Sequence, residues 1–455
     1  MSEEKPPEPQ TPLFWRGFKT LHHFWNRSVL LMFTRVYIQL FVVYIALLSI
    51  YWGTYYHRDS RLHRLKFLAI VADDSYPNNE GVPVIGETFK SIIFSPTISS
   101  QSGWTLVDSQ NFTSVLKPHN NNTYLEELTR QVYQQNYWAG CLVAPNASYD
   151  YYQAIVNSQP SVELNSSTVV TCIYQTGRDA LTVSYYIEPV VAEISSAMIN
   201  YASPYILGPL VKQIPQSERS QVVSKVLQNN ATAPLLISPF AILLTDLRPN
   251  RNASVTGIIY IGLIYVIVIT VQLFNFSTVI HAKIVDKVES RSYLYYRLGA
   301  SQVIYVFLSL AYALVGVAFG ISYDAAFGKS GFLVIWAASY LNFSALAGVN
   351  EVILPNLVAY DRSYVGYYIV GFLIINVCGI TSALAVCPKF YRYSYGLPTY
   401  NFQKILVVCI FDTTKRDIGR CFGILVAWAV VTHLVVPFSS KLAIRNTEKL
   451  AKMRQ

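Results

Sequence analysis

Five polar side chains sit inside stretches that are otherwise apolar enough to cross a bilayer: Asn342, Asn350 and Glu351, then Asn376, then His433. Such groups are costly in hydrocarbon and normally line a bundle interior or an aqueous path. A carboxylate, an imidazole and three amides suit a polar pathway or gate. They suit equally well hydrogen bonds between neighbouring helices, or a Glu351 side chain that reaches the cytosolic interface. Tyr340, Ser344, Ala347 or Gly348, and Glu351 share one helical stripe, small and polar, which turns that face toward other helices. A required role for Glu351 is the expectation; Glu351→Gln with full activity would count against it.

Other chemistries fit less well. Gly328-Lys329-Ser330 ends like a phosphate-binding loop, but that loop needs a glycine five positions earlier, where Tyr323 stands. No H-E-x-x-H, C-x-x-C or G-x-S-x-G occurs. Asp73-Asp74, adjacent acids after an apolar run, read as a solvated turn in place of a metal or catalytic pair. The expectation is a protein that is not an enzyme and holds no metal or cofactor. Gly316-x-x-x-Gly320 reads as a helix-packing site and only weakly as a dimerisation face.

The elements that position these residues follow from hydropathy. The 455-residue chain is 52% hydrophobic and only 13% charged, well short of the roughly 25% charged of soluble domains. The deficit lies in one stretch from Val36 to about Tyr56 and in five more near 255–280, 301–322, 331–354, 364–387 and 421–442. Each meets the roughly 20 residues that a helical span needs. The fold class expected is an α-helical integral membrane protein with six transmembrane helices arranged 1 + 5. An extracytosolic mixed α/β domain, residues 57–254, is inserted between the first two. Residues 1–35 and 443–455 are cytosolic tails. The net charge of +9 gathers beside the spans, as topology signals do, so no nucleic-acid partner is implied.

Orientation comes from the sequons and cysteines. Asn111, Asn121, Asn146, Asn165 and Asn230 head Asn-x-Ser/Thr triplets between the first two spans and are the expected glycosylation sites. Asn252 heads another, too near the membrane to be modified. Cys141 and Cys172 lie in the same region, and in an oxidising lumen they would form a disulfide worth about 3–4 kcal/mol; the alternative is two buried thiols. Cys378, Cys387, Cys409 and Cys421 match no metal spacing and read as packing residues. Both termini are then cytosolic. One loop dissents, because Lys389, Arg392, Lys404, Lys415, Arg416 and Arg420 would lie outside. Its apolar middle, Tyr400 to Phe411, is too short to span and reads as re-entrant or interfacial.

Within the inserted region, strands are expected at 65–74, in WTLVD, at 138–145 and at 169–177. Helices are expected over Gly86 to Phe94, Tyr124 to Gln135 and Tyr149 to Val156, with one long helix from Thr182 to Leu207. Acids and bases nearly balance there, so no charged-ligand footprint follows.

Four segments, LSIYWGTYYHR (48–58), VADD (71–74), PKFYRYSYGLPTYN (388–401) and FDTTKRDIGRCFGILVAW (411–428), resemble the fungal nitrosoguanidine-resistance membrane protein family. That family is similar to phage-infection-protein-like proteins and, more distantly, to type-2 ABC permeases. The resemblance implies a multispanning protein of the plasma membrane or endomembranes. Its implied role is resistance to toxic compounds, by export or by altered lipid distribution. The partners implied are membrane lipids and a toxic or lipid substrate, with a homodimer or an energising partner left open. The alternative is a non-transporting scaffold or sensor whose outer domain binds partners or lipid.

Overall fold

A computed structural model describes residues 27–74, 82–157, 169–230, 232–233, 236, 242–285 and 287–454. The chain forms two compact units, residues 1–53 and 54–455. Among its described residues the first contains one helix, α1 (Arg27–Trp52). It ends short of the expected limit of its apolar stretch, at Gly53, whose N–H closes the last turn on Ser49 O.

The second unit begins with a five-stranded mixed sheet. Its strands are β1 (Lys66–Val71), β2 (Gly103–Asp108), β3 (Ala139–Val143), β4 (Val170–Tyr174) and β5 (Leu243–Asp246). Their order is β2-β1-β3-β4-β5, and only the β3–β4 pair is antiparallel. After the exposed Lys66, FLAIV of β1 is a continuous apolar run because both faces of this central strand are covered. One face packs Phe67, Ala69, Val71, Cys141 and Cys172 against helices α2 (Val84–Ile93), α4 (Ala147–Asn157) and α5 (Glu188–Tyr201). The other packs Leu68, Ile70, Leu142 and Ile173 against α3 (Tyr124–Tyr133). Thr123 starts α3 with a capping box, its Oγ1 accepting from Glu126 N while the Glu126 carboxylate accepts from Thr123 N. Helix α6 (Gln216–Gln228) and strand β5 complete the region.

Two expectations change here. The long helix expected through residue 207 is broken by π turns at Val183–Ile187 and Ala202–Leu207, beside Pro189, Pro204 and Pro209, which remove backbone donors. Asp73 is not solvated: it is fully buried and accepts from Gly86 N, Ser148 N and Ser148 Oγ at 2.9, 3.0 and 2.6 Å. It ties the end of β1 to the first turns of α2 and α4. Burial pushes its carboxyl above the usual range against the pull of those three donors. A Cβ on Gly86 would lie 2.2 Å from Asp73 O, so only glycine permits this approach.

Six helices among the described residues are long and apolar enough to cross a membrane. Besides α1 they include α7 (Gly262–Val285), α8 (Ser290–Ala318), α9 (Gly331–Tyr360), α10 (Tyr364–Thr381) and α12 (Ile418–Arg454). Several limits differ from the expected spans. Helix α8 starts at Ser290, well ahead of the expected span, and stops at Ala318. Beyond its end Gly320 takes a left-handed backbone conformation, the usual device for ending a helix. Gly320 therefore sits in a turn, and the Gly316/Gly320 pair shares no helix face. Gly316 instead makes room for Tyr323, whose hydroxyl bonds Ala313 O. Helix α10 ends at Thr381 and α12 continues through the expected tail.

Between them lies α11 (Pro398–Phe411), whose 14 residues are too few for the roughly 20 of a helical span. Asp412 at φ +52° closes it. Most of its residues are buried, against α9, α10, α12 and the π turn Gly257–Ile261 before α7.

Helix α9 is the bundle's centre, in contact with α7, α8, α10, α11 and α12. Its approach to α12 depends on Gly348, where a Cβ would lie 2.3 Å from Thr432 Oγ1. Gly348→Leu is expected to force these helices apart and cost about 1–3 kcal/mol. The check is the thermal aggregation midpoint of purified protein in detergent. An unchanged midpoint would mean that α9 and α12 do not meet at this residue.

The sheet region is fastened to the bundle. Arg248, just after β5, donates to Asp412 O and to Asp412 Oδ2 at 2.9 and 2.8 Å. Gly177 lets the chain after β4 pass against Phe411, where a Cβ would lie 2.7 Å from that ring. Arg61 and Arg64 donate to Val386 O and Cys387 O in the loop after α10.

Candidate functional site

Arg297, Ser301 and Tyr305 recur at four-residue spacing on α8, so they share one face. Glu351 of α9 meets that face. Ser301 Oγ and Tyr305 Oη each donate to Glu351 Oε1 at 2.8 Å, and Arg297 Nε lies 3.8 Å from Oε2. The glutamate is buried. Its charge is answered by one cation and two hydroxyls inside the bundle, as a buried carboxylate requires.

A second chain adjoins the first. The rings of Tyr305 and His433 stand 6.2 Å apart. His433 Nδ1 is 2.6 Å from Ala429 O. A carbonyl can only accept, so Nδ1 carries the proton. His433 Nε2 then accepts from Gln302 Nε2 at 2.6 Å, and Gln302 Oε1 accepts from Tyr340 Oη at 2.6 Å. Every member of this Tyr340–Gln302–His433 chain is satisfied with the imidazole neutral. The chain faces a shallow lateral groove of about 490 Å³ between α8, α9 and α12, whose wall includes Gln302, Tyr340, Ser344 and His433.

A family model described as "Protein of unknown function (DUF3533)" matches residues 36–434. The chain belongs to the DUF3533 family. It is also 26% identical, over 94% of its own length and 82% of the relative's, to an uncharacterized endoplasmic reticulum membrane protein of Saccharomyces cerevisiae. No solved structure matches it. This DUF3533 chain is thus a multispanning membrane protein of an uncharacterised family.

Of the five intramembrane polar residues singled out in the sequence of this DUF3533 protein, the structure brings Glu351 and His433 together through α8. Asn350, one residue from Glu351, is rotated by about 100° around α9. It faces α7 and α10, donating to Thr270 Oγ1 and accepting from Tyr368 Oη. Asn376 accepts from Thr399 Oγ1 and thereby holds α10 to the start of α11. Asn342 is fully buried, and neither atom of its amide has a partner among the described residues. The polar residues therefore form separate clusters, with no continuous line through all five.

Sequence reasoning misses Arg297, Ser301, Gln302 and Tyr305. Arg297 reads as a topology charge, and the others are hidden inside an apolar window. The four-residue spacing of Arg297, Ser301 and Tyr305 is the available signal. Cys141 and Cys172 are opposite each other on β3 and β4 and are joined by a disulfide. Asn111, Asn121, Asn146 and Asn230 are all exposed, while Asn165 lies outside the described residues. Asn252 is engaged, donating to Gly320 O and accepting from Ser254 N.

Proposed function

We propose that this DUF3533 protein moves or redistributes amphiphilic molecules within an endomembrane, with lipids as the first substrate class. The observation that carries the reading is the lateral groove beside α8, α9 and α12. Polar groups facing hydrocarbon are costly, and a groove that presents Gln302, Tyr340 and His433 offers a polar track for a headgroup while the tails remain in lipid. Export or lipid redistribution would account for toxin resistance, the role implied by the likeness to the nitrosoguanidine-resistance family. No nucleotide-binding loop is present in the sequence, so the proposal treats movement as downhill or as energised by a partner.

The proposed topology keeps the 1 + 5 layout, with both termini cytosolic and the sheet region lumenal, where its disulfide and exposed sequons belong. The yeast relative's description as an endoplasmic reticulum membrane protein supports an endomembrane location over the plasma membrane.

The test is reconstitution into liposomes that carry a fluorescent phospholipid, with chemical quenching of the outer leaflet. The protein is expected to speed leaflet exchange, and Gln302→Leu/His433→Leu is expected to return it close to the protein-free rate. Failure to move lipids or toxic amphiphiles would favour the scaffold reading.

A further inference from the structure

A separate cavity of about 340 Å³ lies at the seam between the sheet region and the helices. Its wall holds four cations and two acids. The cations are Arg178, from the turn after β4, Lys404, from the middle of α11, Arg416, in the turn before α12, and Arg420, in the first turn of α12. Both acids, Asp179 and Asp417, are engaged. Asp179 accepts from Thr182 and from Tyr260 Oη at 3.0 Å, and Asp417 lies 3.6 Å from Arg420.

That leaves an excess of positive charge. Among the described residues, neither Arg178 nor Lys404 has an ion-pair partner. Arg178 donates to Tyr137 O and lies 3.7 Å over the Trp138 ring, which fixes its guanidinium in place. The Lys404 ammonium makes no hydrogen bond among the described residues and faces the Tyr400 ring at 5.5 Å. Burial, against the attraction of Asp179 and with the repulsion of Arg178, holds the Lys404 ammonium below its ordinary range. Burial pushes Arg178 down to about 10, where it is still a cation at neutral pH.

Two hydroxyls complete the wall. Ser382 is buried and Thr413 fully so, and neither hydroxyl oxygen has a partner among the described residues. Buried hydroxyls without partners are rare. Two of them beside unpaired cations describe a site built to donate hydrogen bonds to an anion with several acceptor oxygens. The volume is at the lower end of the roughly 300–1,000 Å³ usual for small-molecule pockets. The wall is also braced: Thr414 donates to Gln134 and Arg248 clamps Asp412.

We propose that this cavity binds a phosphate ester, whose phosphate takes its charge from Lys404 and Arg178 and its hydrogen bonds from Ser382 and Thr413. Ser382 follows the last turn of α10, and Ile418 and Cys421 on the same wall open α12. The cavity thus lies at the ends of two membrane-length helices, the level of lipid headgroups. The site is separate from the lateral groove and does not rest on lipid movement.

The experiment uses full-length protein in maltoside micelles, with bound species counted by native mass spectrometry. Phosphatidic acid is compared with diacylglycerol of the same chains, which differs only in lacking the phosphate. Glycerol 3-phosphate and inorganic phosphate form the soluble arm. Wild type is expected to retain phosphatidic acid over diacylglycerol, and Lys404→Ala to weaken that binding about tenfold or more, with Lys404→Arg restoring most of it. Retention of phosphatidic acid alone identifies a lipid as the source, and equal binding of glycerol 3-phosphate identifies a soluble ester. If Lys404→Ala does not fold, Ser382→Ala/Thr413→Val reads the same site without removing a charge. Equal retention of diacylglycerol, or wild-type affinity in whichever of these variants folds, would overturn the proposal.

Discussion

Glu351→Ala is expected to destabilise the helix bundle by about 3–5 kcal/mol, the usual result of removing one partner from a buried ion pair. The alanine leaves Arg297 with an uncompensated charge, its side chain only 12% exposed. It also leaves the Ser301 and Tyr305 hydroxyls without their acceptor. Each such hydroxyl bond within a membrane bundle contributes about 0.6 kcal/mol on average, so the charge carries most of the effect. Glu351→Gln keeps an acceptor for both hydroxyls but leaves the Arg297 charge unanswered, so it is expected to recover only about 1 kcal/mol of the loss. The diagnostic is the double variant Arg297→Ala/Glu351→Ala, which buries no unpaired charge. It should be more stable than the sum of the two single losses predicts, by more than the about 0.5 kcal/mol that independent sites allow. The measurement is reversible unfolding in mixed micelles for all four members of the cycle. Strict additivity would show that Arg297 and Glu351 do not interact.

The parts of this molecule legible in sequence are those in which one strong local pattern decides the outcome. FLAIV and AGCLV are short apolar runs bounded by polar residues, and they fall in the two strands β1 and β3 at the middle of the sheet. LLTD of β5 has no such signal, because this edge strand leaves Leu243 and Leu244 exposed and has no alternation to read. Asp73 reads as a surface turn because the Gly86 and Ser148 donors that surround it come from distant parts of the chain.

The site follows the same rule. Asn350 and Glu351 are visible as polar residues in an apolar helix, but neighbours in sequence point to different helices, so a single pathway through both is not geometrically available. The basic loop around Lys404, Arg416 and Arg420 is visible only as a departure from the charge rule for topology. Its meaning depends on Arg178, far earlier in the chain, which reaches the same cavity only because the turn after β4 meets α11 across Gly177 and Phe411.

Removing the Cys141–Cys172 disulfide is the second large effect, and it tests topology as well as stability. The cysteines are in register on β3 and β4, the single antiparallel pair of the sheet, and both are fully buried. They are separated by 31 residues, a loop that contains α4. In the chain-entropy account a crosslink over that length contributes about 3–4 kcal/mol. Cys141→Ala/Cys172→Ala also replaces two sulfurs in the packed face of the sheet with smaller groups, so the loss is expected at the upper end of that range. Its direct readout is the unfolding midpoint of the purified protein, which reductant should lower in wild type and leave unchanged in the double variant. The second readout needs no purification. In microsomes dissolved in SDS, which exposes the buried sulfurs, a maleimide reagent is expected to label neither cysteine until a reductant is added, because the bond forms and persists only on the oxidising side of the membrane. Labelling without reductant would place the sheet in the reducing cytosol. It would also reverse the proposed orientation of every span, since the cysteines and the sequons at Asn111, Asn121, Asn146 and Asn230 belong to the same region.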